Sequence, residues 1–139
     1  MSRSPMRVVV VAGVAEDDQG RLLVTRRLEG THLAGLWEFP GGKCEPGESH
    51  EACLRRELNE ELGVDADVGG EILATEHAYP DRLITLHFRW CRLKGEPRPQ
   101  LGQELRWIAR ADLKSLALPP ADDELVDLLS AGGDSVPGV

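Results

Sequence analysis

Hydrophobic and polar positions at the start of the chain predict two strands and a tight turn. An apolar, mostly β-branched run covers residues 8–14, the polar residues 17–20 follow, and residues 21–26 are again largely apolar. Apolar runs of this length that are separated by Asp and Gly are typical of adjacent strands. The pattern therefore predicts a β-hairpin.

The clearest helical pattern follows a loop that is rich in Pro and Gly. Residues 40–47 hold too many helix breakers for a helix or a central strand, and a short apolar stretch, residues 37–39, precedes them. Beyond the loop, the helix should bury a face on which leucines repeat every fourth position, and these are Leu54, Leu58 and Leu62. Ser49 is suited to cap this helix and Gly63 to end it.

After this helix the pattern returns to strands. Strands are predicted at residues 64–75, with Gly69 and Gly70 as an interruption, at 83–90 and at 104–108. A last amphipathic helix near residues 122–129 is expected to bury four apolar side chains, Leu125, Val126, Leu128 and Leu129. This order predicts an α/β sandwich with a mixed sheet and helices on both faces, and not alternating βαβ units.

Length and charge narrow the class of protein. We expect residues 1–139 to form a single domain that is frayed at residues 1–5 and 131–139, and a monomer. The longest apolar run, residues 8–15, is too short to span a bilayer. A net charge of −8 argues against broad binding to nucleic acid or anionic lipid. A phosphate ligand would therefore need local positive charge, from a metal or from a few basic side chains.

The cysteines suggest a reducing compartment. Cys44, Cys53 and Cys91 are odd in number and are not spaced as metal ligands, so we expect free thiols in the cytoplasm and no metal bound through sulfur. For Cys44 we expect a buried packing role.

Three glutamates mark the predicted helix as unusual. Glu57, Glu60 and Glu61 stand at i, i+3 and i+4, so they should project as one cluster beside the leucine face. Such like charges repel, and acids in a last turn oppose the helix dipole. One interpretation is a solvated acidic surface. The other is a site for Mg²⁺ or Mn²⁺, because the glycine-rich loop brings a further glutamate, Glu48, against the same helix.

Residues 42–64 resemble the sequence box of the Nudix family. The box, G-x5-E-x7-R-E-U-x-E-E-x-G-U with U apolar, is matched at all nine defined positions. Similarity to MutT-like members of the family extends to both sides, so that most of the chain is covered. The resemblance implies a Nudix α/β/α sandwich and metal-dependent hydrolysis of a nucleoside triphosphate to the monophosphate and pyrophosphate, by attack of water at the β-phosphorus.

The resemblance also implies roles for the box residues. Glu57, Glu60 and Glu61 would hold Mg²⁺, or Mn²⁺, with the carbonyl of Gly41 as a further ligand. Glu48 and Arg56 would orient these carboxylates. The general base stays open, because Leu101 stands where MutT relatives often carry a glutamate. Glu104 is one candidate, although it is equally well interpreted as an exposed strand residue. Glu57 and a metal-bound hydroxide are the others.

Recognition of the nucleotide is assigned by the same resemblance. The base would contact Phe39, Tyr79, Arg82 and Asp122, while Arg27, His32 and Lys43 would lie near the phosphates or the sugar. Each of these assignments has a plainer alternative. Phe39 and Tyr79 are also plausible core residues, His32 a surface loop residue and Arg27 a counter-charge for nearby acids. Asp122 would serve equally well as a helix N-cap.

Asp122 leaves the base preference divided. MutT itself has asparagine at this point, and its amide both donates and accepts, whereas an ionised aspartate only accepts. Such an aspartate suits the amino group of cytosine, while a protonated one, coupled to Asp123, would suit an oxidised guanine. The sequence therefore predicts cleansing of 8-oxo-dGTP from the nucleotide pool, with hydrolysis of (d)CTP or a modified cytosine nucleotide as the alternative. A catalytically inactive nucleotide sensor and a dinucleotide hydrolase are less favoured.

Overall fold

The computed structural model of this chain describes residues 6–28, 30 and 35–131. His32 lies outside the described residues. So do the two ends that were predicted to fray, except for Ala131. The elements, in chain order, are β1 Met6–Ala15, β2 Arg21–Arg26, β3 Trp37–Glu38, β4 Gly41–Lys43, α1 His50–Leu62, β5 Ala66–Ala78, β6 Arg82–Leu93, β7 Leu105–Ala109, two 3₁₀ segments, Arg110–Ser115 and Pro120–Asp122, and α2 Asp123–Ser130. Over these ranges, no helix is both long and apolar enough to cross a bilayer.

The strands form a mixed sheet of four and a smaller sheet of three. The larger sheet has the order β4-β1-β6-β5 and the smaller one the order β3-β2-β7. Strand β1 pairs with β6 in parallel and with β4 antiparallel, and β5 and β6 pair antiparallel, with register shifts where Gly69 and Gly70 interrupt the ladder. The predicted mixed sheet is therefore confirmed, and so is the interruption of β5.

The predicted hairpin of the first two strands is wrong. The turn between β1 and β2 forms, because the Asp17 carboxylate accepts hydrogen bonds from the backbone N–H of Gln19 and of Arg21. Only an isolated bridge between Glu16 and Leu22 links the two strands. Both edges of β1 are already occupied, by β4 and β6, so β2 continues into the other sheet and pairs with β3 and β7.

Helix α1 forms as its pattern predicts. The Ser49 hydroxyl accepts a hydrogen bond from the Ala52 N–H at 3.1 Å, and Gly63 ends the helix in the left-handed conformation, with φ of 63°. The leucine face is fully buried and packs against β1 residues such as Val11. This packing holds the rest of the helix surface, including its glutamates, at the border between core and solvent.

Helix α2 covers the opposite side of β1. Leu125, Val126 and Leu129 are buried with Val14 of β1, as predicted, and this arrangement confirms the sandwich with helices on both faces. The prediction for Leu128 is wrong. Leu128 is 45% exposed. The buried face of α2 is formed by Leu125, Val126 and Leu129, and Leu128 lies at the side of this face.

Gly13 determines how closely α1 approaches the sheet. A Cβ at this position would lie 2.9 Å from the Cys91 Sγ and 3.3 Å from a methyl group of Leu54. Both of these side chains are fully buried, so neither can move away without disturbing the core. The absence of a side chain at residue 13 is therefore part of the packing.

We expect Gly13→Ala to lower the free energy of unfolding by about 1–3 kcal/mol, because it overpacks this contact. Urea denaturation monitored by circular dichroism measures the effect. Gly70→Ala in β5 is the matched control, since a Cβ there meets no atom within 4 Å. A loss of stability for Gly70→Ala as large as that for Gly13→Ala would contradict this account of the packing.

Candidate active site

Arg56 binds the carboxylates of the glycine-rich loop and of α1 together. Its Nε and Nη2 donate to the two oxygens of Glu48 at 2.8 and 2.9 Å, and its Nη1 donates to Glu57 at 2.8 Å. Nη1 also reaches Glu60 at 3.4 Å, and Nη2 donates to the Lys43 carbonyl at 3.0 Å. These bonds, together with the backbone N–H of Glu45, lower the pKa of Glu48 to about 2. Arg56 thus pairs with the box glutamates as the sequence suggests.

Glu61 lies on the other side of the cluster, where its carboxylate borders a cavity. Its Oε2 accepts a hydrogen bond from the Gly41 N–H at 3.3 Å. Burial is the main cause that raises the pKa of Glu61 to about 8, and the charges of Glu38 and Glu57 add to it. Glu61 is therefore a carboxylate whose negative charge is poorly compensated by the protein.

Two glycines let the loop backbone lie directly against these acids. A Cβ on Gly42 would fall 2.4 Å from the Glu57 carboxylate, and one on Gly41 would fall 2.0 Å from the Val11 carbonyl. Any side chain at either position would fill the space between β1 and α1. The loop therefore presents backbone N–H and C=O groups, and no side chains, to the glutamates.

The three box glutamates are less tightly gathered than their helical spacing predicts. In the described part of the chain, two groups of three residues have potential ligand atoms that all lie within 4.8 Å of one another. Glu57, Glu60 and Glu61 are not one of these groups. The Glu60 side chain is 58% exposed, while that of Glu57 is mostly buried beside Arg56. Mutual repulsion separates the three carboxylates and Arg56 compensates only two of them. All their donor atoms are oxygen, so they fit a hard divalent cation.

Cys44 and Cys53 come together although their spacing along the chain did not indicate it. The two Sγ atoms and the Glu48 carboxylate lie within 4.8 Å of one another. The Glu48 carboxylate in this set is already bound by Arg56. Cys44 is half-buried and packs against the core beneath α1, and all three cysteines are free thiols, as predicted.

A cavity of about 440 Å³ extends from the glycine-rich loop to the start of α2. This volume is within the range of small-molecule sites. Basic side chains enter its lining at Arg26, Arg27 and Lys43. Of the residues predicted for the site, those that line the cavity are Arg27, Phe39, Gly41, Lys43, Glu61 and Asp122. The structure therefore brings the predicted phosphate end and part of the predicted base end into one space.

Asp122 is a buried acid at the far end of this cavity. Asp122 occupies the N-cap position of α2, with φ of −93° and ψ of −4°, but its side chain makes no capping hydrogen bond. The predicted position is therefore confirmed, while the side chain is left for another role. Burial first, then the charges of Glu38 and Asp123, raise its pKa to about 7. A neutral Asp122 is accordingly well populated near neutral pH.

Glu38 and Gln103 also line the cavity, and the sequence reasoning did not identify them. The Glu38 carboxylate accepts a hydrogen bond from Arg27 at 2.7 Å, and burial raises its pKa. Gln103 is buried, donates to the Glu61 carbonyl at 3.0 Å and accepts from the Leu101 N–H at 2.9 Å. In the sequence, the only signal for Gln103 was its position next to Glu104, a candidate general base, because its burial is known from the structure alone.

Phe39 serves both the core and the cavity. It is buried and packs edge-on against Phe88, with ring centroids 6.2 Å apart, while the two rings also line the cavity. Its two interpretations from the sequence are therefore compatible. Its ring is a rigid apolar wall on which a flat ligand can pack.

Seven other predicted residues of the described ranges do not line the cavity, and four of them, Glu48, Arg56, Glu57 and Glu60, form the cluster beside the loop. The remaining three lie apart from that cluster. Tyr79 is 49% exposed at the turn between β5 and β6, with the Arg82 guanidinium 5.7 Å from its ring centroid. Neither of these two residues lines the cavity. Glu104 is also outside the lining, and its carboxylate is paired with Arg26 at 3.2 Å. The geometry thus supports the exposed alternative for Glu104.

Comparisons with known proteins agree with this geometry. The family model described as "NUDIX domain" matches residues 11–128. The "8-oxo-dGTP diphosphatase" of Escherichia coli is 34% identical over 122 residues, which cover 86% of this chain and 94% of that protein. The "CTP pyrophosphohydrolase" of Escherichia coli is 37% identical over 125 residues, which cover 89% and 92%.

A solved structure shows the same fold. The solution structure of the Escherichia coli ORF135 protein has a TM-score of 0.81 and 36% sequence identity, and the match covers 91% of each chain. Together with the complete sequence box and the glycine-rich loop against α1, these matches establish that the chain belongs to the Nudix hydrolase family, among its MutT-like members.

Proposed function

We propose that this chain hydrolyses nucleoside triphosphates to the monophosphate and pyrophosphate with Mg²⁺, or Mn²⁺, and that its preferred substrate is 8-oxo-dGTP. The observation that carries the proposal is one cavity that is lined at the loop and α1 by Gly41 and the box residue Glu61, and at the start of α2 by the buried Asp122. A nucleotide has the matching form, since a polyphosphate and a base stand at its two ends.

The end of the cavity near the loop suits a triphosphate only together with cations. Arg26, Arg27 and Lys43 supply positive charge there, but Glu38 and Glu61 line the same space. Glu57, Glu60 and Glu61, with the Gly41 carbonyl, are the groups that would hold Mg²⁺. A bound divalent cation would offset the charge of the phosphates and make a water molecule more acidic. The poorly compensated charge of Glu61 favours such binding.

We assign acceptance of the water proton to Glu57. Arg56 binds its Oε1, and the whole carboxylate lies against the loop backbone at Gly42. Neither Glu57 nor Glu104 lines the cavity, but Glu57 lies among the box glutamates beside the loop, whereas the Glu104 carboxylate is paired with Arg26. Arg56 and Glu48 act here as positioning residues, because their hydrogen bonds determine where the Glu57 carboxylate lies.

The end of the cavity near α2 suits a flat base with both a donor and an acceptor on one edge. Phe39 offers the apolar wall and Asp122 the polar group. A neutral Asp122 donates through its hydroxyl and accepts through its carbonyl, and these two roles match O6 and the N7 hydrogen of 8-oxoguanine. Because the pKa of Asp122 is raised to about 7, this form is available to the enzyme.

Hydrolysis of a cytosine nucleotide is the second candidate, and the same residue supports it. An ionised Asp122 accepts a hydrogen bond from the amino group of cytosine. A relative named CTP pyrophosphohydrolase is as similar to this chain as the relative named 8-oxo-dGTP diphosphatase. A monomeric state, a cytoplasmic location, a single domain and the absence of nucleic-acid binding stay predictions from the composition.

Glu60→Gln should lower kcat for 8-oxo-dGTP by more than about 100-fold, since it removes a charged ligand that acts through the metal. The measurement is pyrophosphate release over a range of Mg²⁺ concentrations. Glu51→Gln is the matched control. It removes an acid from the first turn of the same helix, where the side chain is exposed, and it should leave kcat within about twofold. Hydrolysis that needs no Mg²⁺ and is unchanged by Glu60→Gln would contradict the proposal and favour a nucleotide sensor.

Base selectivity should depend on pH through Asp122. As pH rises from about 6 to about 8, the aspartate loses its proton and hence its donor. The ratio of kcat/KM for 8-oxo-dGTP to kcat/KM for dCTP should therefore fall by about tenfold. Taking the ratio cancels the pH dependence that both substrates share. Measuring dGTP and 5-methyl-dCTP in the same assay completes the panel.

Two variants test the origin of this pH dependence. Asp122→Asn should flatten the profile, because an amide donates and accepts at every pH in this range. Asp123→Asn removes only a neighbouring charge that raises the pKa of Asp122, so it should move the transition to lower pH without flattening it. A ratio that is independent of pH in the unmodified enzyme, or a profile that Asp122→Asn leaves unchanged, would remove Asp122 from base recognition. Equally low values for all four substrates would defeat both candidate preferences.

A further inference from the structure

Two histidines and a glutamate meet on the face of the large sheet that is turned away from the cavity. They are His50, the first residue of α1, Glu71 of β5 and His87 of β6. On β6 the neighbouring Phe88 lines the cavity, whereas Cys91, four residues after His87, packs under α1. Because side chains alternate along a strand, His87 lies on the α1 face. None of the three residues lines the cavity.

The three side chains hold one another closely. His87 Nδ1 lies 2.5 Å from Glu71 Oε1, and the ring of His50 lies against that of His87, with centroids 4.2 Å apart. One potential ligand atom of each residue lies within 4.8 Å of those of the other two. The His87 side chain is 17% exposed and that of Glu71 is 40% exposed. An ordinary surface ion pair would explain the contact between Glu71 and His87. It would not explain why the imidazole of His50 lies against them.

Arg89 is the basic group next to the cluster. Its Nε donates to the Gly69 carbonyl at 3.0 Å, so the backbone of β5 holds this guanidinium. An imidazole binds a metal through the lone pair of an unprotonated ring nitrogen.

We propose that His50, Glu71 and His87 form a binding site for one Zn²⁺ ion, separate from the carboxylates of the active site. Two imidazole nitrogens and one carboxylate oxygen are a ligand set that zinc uses, with a water molecule at the fourth position. Mg²⁺ prefers an all-oxygen set and does not compete well here. The site therefore selects a different class of metal from the box glutamates.

Small side-chain movements convert the observed cluster into a coordination site. Ligands at about 2.1 Å from a tetrahedral ion lie about 3.4 Å apart, so the contact between His87 and Glu71 must open by about 1 Å. The ligand atoms all lie within 4.8 Å of one another, so any wider separation closes by at most about 1.4 Å. The ion would join the first turn of α1 to β5 and β6, so it would stabilise the fold on which the catalytic glutamates stand.

Zinc binding in the presence of excess Mg²⁺ tests the proposal on the full chain. Native mass spectrometry and calorimetric titration should show one equivalent of Zn²⁺ retained, together with a rise in the melting temperature. His50→Gln and His87→Gln should each weaken the affinity by more than about 100-fold. Co²⁺ gives an independent readout, because its visible absorption reports tetrahedral coordination by imidazole. Hydrolysis is not part of the readout, so failure of this proposal and failure of the proposed function are distinguishable.

Three further variants keep the test decisive. His77→Gln removes a histidine of β5 that is outside the cluster and should bind Zn²⁺ like the unmodified chain. Glu71→Gln keeps both imidazoles and should weaken binding less than loss of a histidine. Cys44→Ser should have no effect. Circular dichroism without metal shows that each variant folds. An unmodified chain that retains no Zn²⁺ would overturn the proposal, as would binding that survives both histidine substitutions or is lost in Cys44→Ser.

Discussion

The pairing of Arg56 with its glutamates is the interaction on which the rest of the active site depends. One guanidinium binds Glu48 through two hydrogen bonds, touches Glu57 and Glu60, and holds the Lys43 carbonyl. Without Arg56, these three acids and the loop that contains Gly41 and Gly42 would have no common binding partner. The planar guanidinium suits this task, because its donors are held at set angles that lysine does not reproduce.

Arg56 compensates only part of the negative charge of the site, and the cavity is lined by acids that it does not bind. Glu38, Glu61 and Asp122 line the same space, and burial raises the pKa of each of them. Near the loop, this excess of negative charge is suited to a divalent cation, and burial together with the charges of Glu38 and Asp123 raises the pKa of Asp122 to about 7. In the proposed function, the burial of poorly compensated acids therefore underlies both the binding of metal and the preference for a base.

The sequence predicted the parts of this design that depend on local pattern. Helix α1, its cap at Ser49 and its end at Gly63 follow from spacing within one helix and its loop, and the pairing of Arg56 was implied by the resemblance to the Nudix box. Contacts between segments that are distant in the sequence could not be predicted in this way. The first two strands were predicted as a hairpin, although β4 and β6 occupy both edges of β1. Glu38 and Gln103 enter the cavity from separate strands and loops, and no periodicity reports such a meeting.

The central claim is that the acids held by Arg56 support metal-dependent attack of water on the triphosphate at its β-phosphorus. Hydrolysis of 8-oxo-dGTP in water enriched in heavy oxygen, followed by phosphorus NMR of the products, tests it most directly. The account predicts no turnover without a divalent cation and, with Mg²⁺, label in pyrophosphate and none in the monophosphate. Label in the monophosphate, or release of orthophosphate as the first product, would contradict it.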